Sequence, residues 1–231
     1  GFVKSGDGIF ALGGAAYTGG FTLNAGTVVI RGSNALGSGG VLTINGGTIG
    51  ASATRDMSSR YSNIVVGGDF TIGSSTSPSV GTSNLTFSNT MALGTSSSRT
   101  ITIGGTGTYT LGGVISGSSS NLTVAATAAG VIVLTGANTY NGTTTVSGGT
   151  LRLSRTGGTT LPTGNSVVVN SGATLTISTA QQLNNVTVDA GGTLILNKTL
   201  TVSGTATING TLQIGQGGFA TTTGGGSYTY G

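Results

Sequence analysis

One local unit recurs along this chain of 231 residues: an apolar residue, usually a threonine, a second apolar residue, then a turn of small residues. It reads FTL (21–23), LTI (42–44), IVV (64–66), LTF (85–87), ITI (101–103) and LTV (122–124). It continues as TTV (144–146), VVV (167–169), VTV (186–188), ATI (206–208) and YTY (228–230). The steps are 21, 22, 21, 16, 21, 22, 23, 19, 20 and 22 residues. A period kept this long marks a repeat architecture. Alternation within each triplet is the signal of a half-buried strand, with its outer residues facing a core and its middle residue facing solvent.

After most triplets a Gly, Asn or Ser corner leads into a second strand, as in NAGTVVI (24–30), SGGTLRL (147–153) and NGTLQI (209–214). Gly and Asn supply the positive φ that such corners need. A meander of hairpins has no reason to hold a matched triplet every 21 residues or so. A coil does, because equivalent residues of successive turns stack about 4.8 Å apart in parallel ladders. The expectation is therefore an all-β chain: a single domain over 1–231, folded as a right-handed parallel β-helix of about eleven coils of roughly 21 residues. Handedness follows the general preference of parallel crossovers. Leu23, Ile44, Val66, Phe87, Ile103, Val124, Val146, Val169, Val188 and Ile208 are expected to form one inward column.

Composition supports a chain stabilised by ladders. There are 46 Gly, two Pro and no Cys, and the acids are four Asp with no Glu. Only 5% of residues are charged, against about 25% in a typical globular protein, so Thr, Ser, Asn and Gly must coat the surface. The net charge of +4 comes from eight basic residues that read as scattered, with no interleaved aromatics for base stacking; no nucleic-acid partner is expected. The longest apolar run, AATAAGVIVL (125–134), is too short to span a membrane. With no initiator Met and no signal peptide, the chain reads as a mature product, a processed piece or an expressed fragment.

Two segments carry a resemblance. Tyr17, Gly19, Thr22, Gly26 and Thr27 fall 123 residues before Tyr140, Gly142, Thr145, Gly149 and Thr150. The segment KSGDGIFALGGAAYTGGFTLNAGTVVI (4–30) resembles the autotransporter-associated β-strand repeat of bacterial passenger domains through Lys4, Gly6, Gly8, Leu12, Tyr17, Gly19, Thr22, Gly26 and Thr27. IVLTGANTYNGTTTVSGGTLRL (132–153) matches through Leu134, Gly136, Asn138, Tyr140, Gly142, Val146, Gly149 and Leu151. NALGSGGVLTINGGTI (34–49) is similar to the segment that often follows. The resemblance implies an extracellular or cell-surface β-helix, with no catalytic residues to carry over.

Little chemistry is available. Without His or Glu there is no Ser–His–Asp triad, no His-ligated metal and no Glu acid–base pair, so neither enzyme nor cofactor is expected. Asp69 and Asp189 lie about six coils apart and cannot act as a pair. Asp56 lies between Arg55 and Arg60, whose loop could grip an anionic sugar or be a solvated corner. Six Asn-x-Thr matches (Asn84, Asn121, Asn141, Asn185, Asn197, Asn209) read as corner asparagines rather than sugar acceptors.

The surface feature that remains is the middle residue of the triplets: Thr22, Thr43, Thr86, Thr102, Thr123, Thr145, Thr187, Thr207 and Thr229. As one outward file they would form either a plain β-branched ladder or a binding face for ice, a crystalline polysaccharide or another rod. The expected function is a non-enzymatic structural or adhesive module of a bacterial surface protein. The alternatives are a subunit of a head-to-tail filament and a polysaccharide-binding or -processing β-helix. The expected partners are the chain itself or flanking repeats end to end, and a host surface or polysaccharide.

Overall fold

The computed structural model describes residues 1–14, 18–74, 82–222 and 227–230, with Thr222 and the last strand described by backbone alone. Strands fill it, and no helix occurs among the described residues. Strands separated by a whole turn pair in parallel, giving a β-solenoid of about ten turns. At roughly 4.8 Å per turn the stack is about 50 Å long.

The coil is three-sided. Its first face is a six-stranded sheet running from Phe2–Lys4 through Phe21–Leu23, Val41–Ile44, Asn63–Val66 and Met91–Ala92 to Ile115–Ser116. The second is an eleven-stranded sheet from Ile9–Leu12 to Ser227–Tyr230, among the described residues the only face stranded in every turn. The third is an eight-stranded sheet from Arg55–Asp56 to Thr211–Ile214. In the last turns a three-stranded sheet of Gln181–Leu183, Leu200–Val202 and Ala220–Thr222 takes the first face's place in the chain order.

Alternation sets facing on every side. Strands such as Val41–Ile44, Thr108–Leu111 and Thr193–Leu196 bury every second residue and leave the others half-exposed. The buried residues from Phe21 to Ile208 form one continuous cluster. Burying aliphatic side chains while each backbone pairs above and below stabilises the stack with few charges. Corners turn on residues in the left-handed region. Gly26 and Gly149, equivalent in the two similar segments, have φ of 77° and 68°.

The expected single column does not exist. Leu23, Ile44 and Val66 stack on the first face. Phe87 pairs with Leu111 on the third. Ile103 pairs with Ile72 and Ala126, and Val124, Val146, Val169, Val188 and Ile208 stack on the second. All of them are buried, so facing follows the alternation while the face does not. The physical reason is that all three sides of the coil pose the same half-buried environment. A triplet fits any of them, and the 16-residue step from Leu85 to Ile101 is the passage from third face to second.

Candidate functional site

The residues that carried the resemblance are where side chains do most beyond stacking. Lys4 is buried at the end of a first-face strand, and its ammonium donates to three backbone carbonyls: Ser5 at 3.1 Å, Gly6 at 2.5 Å and Ala25 at 3.1 Å. A buried cation is tolerable only when so satisfied. A Cβ on Gly26 would overlap the Gly6 carbonyl, the Lys4 Nζ and the Gly8 carbonyl. Lys4, Gly6, Gly8 and Gly26 thus form one closure, a lysine tying two successive turns at a corner. Beside it runs an amide ladder, Asn45 Nδ2 donating to Asn24 Oδ1 at 2.8 Å and Asn24 Nδ2 to Ser5 Oγ at 3.1 Å.

The second segment builds a different device. Between the first-face strand Ile115–Ser116 and the sheet starting at Gln181–Leu183, two turns have no strand on that side, and side chains replace the ladder. Asn138 Oδ1 accepts the Ile115 N–H at 2.8 Å, while the Asn138 N–H donates to the Thr160 carbonyl at 3.0 Å. Gln181 Oε1 accepts the N–H groups of Thr160 at 3.2 Å and Leu161 at 3.0 Å. The Tyr140 hydroxyl lies 2.8 Å from Thr144 Oγ1, which donates at 2.8 Å to Asn165 Oδ1. Thr144 has one proton to give, so Tyr140 is the donor of the pair. Asn165 Nδ2 closes the network on the Gly142 carbonyl. Burial pushes the Tyr140 phenol above its usual range. Gly136 and Gly142 have no room for a side chain, a Cβ meeting the carbonyls of Gly113 and Ser120. Tyr17, the first segment's counterpart of Tyr140, lies outside the described residues.

Thr144, Asn165 and Gln181 were missed in the sequence. Their signal was a polar residue in an inward slot: Thr144 stands between Leu122 and Val167 in a buried column, and Gln181 opens an otherwise ordinary triplet.

The nine threonines do not form one file. Thr22 and Thr43 are neighbours on the first face. Thr86 lies on the third, against Asp56 and Thr110. The rest are on the second face, where Thr123 pairs with Thr100 rather than Thr102, and Thr102 pairs with Thr71 and Ala125. From there a file runs through Thr123, Thr145, Val168, Thr187 and Thr207 to the backbone position of Thr229. The third face has its own outward file, Thr108, Val131, Thr150, Thr174, Thr193 and Thr211.

Arg55 and Arg60 are brought near loop 31–34: Arg55 donates to the Arg31 carbonyl, and to that of Thr54 at 3.2 Å, and Arg60 donates to Asn34 Oδ1. Asp56 accepts from Ser58, and Asp69 accepts the Thr100 N–H at 2.8 Å. Asn84, Asn121 and Asn185 each accept a backbone N–H from the following turn at 2.8 Å, and Asn141 accepts one from the preceding turn. No cluster of three or more His, Cys, Asp or Glu occurs among the described residues. A surface groove of about 490 Å³ at the corner between second and third faces is lined by Ala126, Thr127, Ala128, Gly148, Gly149 and Thr150, among others, and holds no ionisable group.

A model of the passenger-associated-transport-repeat family matches residues 2–30, which hold the Lys4 closure, and 129–153, which supply Asn138, Tyr140 and Thr144 to the polar network. No curated protein and no solved structure matches the chain. Two stretches similar to this repeat, set within a parallel three-sided coil, fit the repeat of an autotransporter-passenger β-helix.

Proposed function

We propose that this passenger-type module is non-enzymatic and acts at the bacterial surface or outside the cell, as a stiff stalk with an adhesive role. One observation carries the reading: in both matched repeats the buried polar side chains, Lys4, Asn138 and Thr144, join turns to one another and do not converge on a pocket. The four Asp sit on different turns, with Asp56 bonded to Ser58 and Asp69 to the Thr100 N–H of the next turn, which supports a role without hydrolysis. In the expected surroundings the coil's ends meet other coils, flanking repeats or copies of the chain. The exposed large apolar side chains fit this, since Phe2, Val3, Ile9, Ile214 and Phe219 all belong to the first and last turns.

Small-angle scattering over a concentration series tests the stalk. A rod about 50 Å long at low concentration, lengthening without thickening as concentration rises, is the expected result. A compact sphere would contradict the stalk, and a rod of constant length would remove the end-to-end contact.

A further inference from the structure

The sequence scatters its charges; the coil sorts them. Of the eight basic residues, Arg55 and Arg152 lie on third-face strands, and Arg60, Arg155 and Lys198 lie in the connections that leave those strands. On those strands and their exits Asp56 is the only acid, and at the corner that enters this side Arg31 offsets Asp189, leaving a net +4, the whole formal charge of the chain. Elsewhere Lys4 and Arg99 are balanced by Asp7 and Asp69. Every charged residue is among those the structure describes.

The cations run along the axis. From the Arg55 strand to the Arg152 strand is four ladder steps, and from there to the strand before Lys198 two more, about 29 Å in all. Arg152 and Lys198 are exposed. Arg152 has hydroxyls on one side, Thr176 on the next strand and Thr150 and Thr174 in the adjacent outward file, and Val133 on the other. A guanidinium takes a carboxylate bidentately, and threonine presents a methyl and a hydroxyl together.

We infer that the third face binds a linear acidic polysaccharide lying along the coil axis, its carboxylates meeting Arg152, Arg155 and Lys198 and its ring hydroxyls the threonine files. This deepens, and rests on, the adhesive reading above. A second copy laid face to face would set +4 against +4. Nucleic acid is the poorer match, because each strand carries a phosphate about every 3.4 Å and the aromatics on the third-face strands, Tyr109 and Phe87, are buried. One exposed aromatic, Phe219 in the connection after Thr211–Ile214, makes no file for stacking.

The test is binding of oligogalacturonate, with dextran, single-stranded DNA and anionic phospholipid vesicles as parallel probes. The account expects oligogalacturonate to bind at about 20 mM salt, to weaken toward about 200 mM, and to outbind the other three. A triple variant, Arg152→Gln, Arg155→Gln and Lys198→Gln, is expected to lose about tenfold in affinity while melting like the parent. Arg99→Gln, on the second-face strand Ser98–Ile103, is expected to change affinity less than about twofold. No binding at low salt, an undiminished triple variant, or tighter binding of DNA or vesicles overturns the inference. A rod in solution that ignores oligogalacturonate leaves the stalk standing and removes only this face's ligand.

Discussion

Val146 and Thr145 are chain neighbours with opposite surroundings: Val146 is fully buried between Val124 and Val169, and Thr145 faces outward. Val146→Asp puts an unpaired carboxylate in that column and is expected to cost several kcal/mol, roughly 3 or more, whereas Thr145→Asp is expected to cost less than about 1. Thermal melts of both variants check this, and equal losses would reverse the assigned facing. Tyr140 gives a pH prediction. Its phenol, raised by burial in the folded chain, ionises near 10 once unfolded. Stability from keeping it neutral is therefore fully present below about pH 10 and is lost as pH climbs beyond that value. Tyr140→Phe is expected to flatten the alkaline decline while costing about 1 kcal/mol at neutral pH through the lost bond to Thr144. Denaturant midpoints from pH 8 to 11 show whether the slope changes; the buried Tyr109, also shifted upward by desolvation, leaves part of it in place.

Between strands, the informative region is the two-turn gap where side chains carry the first face. Gln181→Leu keeps the volume but strands the N–H groups of Thr160 and Leu161, and is expected to cost about 2–3 kcal/mol. Gln182→Leu, on the exposed side of the same strand, is expected to be within about 0.5 kcal/mol of the parent. A comparable loss at both positions would mean that Gln181 is not holding the gap. The same region shows what the sequence could and could not tell. Period, parallel stacking and facing were legible in it, because alternation is a local property of each triplet. Face and register were not. In the first repeat FTL (21–23) lies on the first face, yet TTV (144–146) of the second lies on the second face. The strand–corner–strand unit can sit on either adjacent pair of sides, and connections of different length rotate it. A two-residue slip at Thr100–Thr123 keeps every side chain on its own side of the sheet, so periodicity could not detect it. The closures made by Lys4 and Gln181 were illegible for another reason: each joins residues a turn apart, which only the register brings together.

At the scale of the whole molecule each turn touches mainly the turns above and below, so stability and shape are set along one axis. The charge sorting arises there too: scattered in the run of the chain, the cations become one-sided only when the third face is assembled. The central claim is the stack itself. The chain has no cysteine, so nitroxide pairs can be placed without background. Labels at Thr207 paired in turn with Thr123, Thr71 and Thr27 span four, six and eight steps of the second face. Pulsed electron paramagnetic resonance on the three pairs is expected to give backbone separations of about 19, 29 and 38 Å, a straight line in the number of turns. Distances that level off or shorten from Thr71 to Thr27, as a sandwich or a closed barrel would give, would contradict the coil.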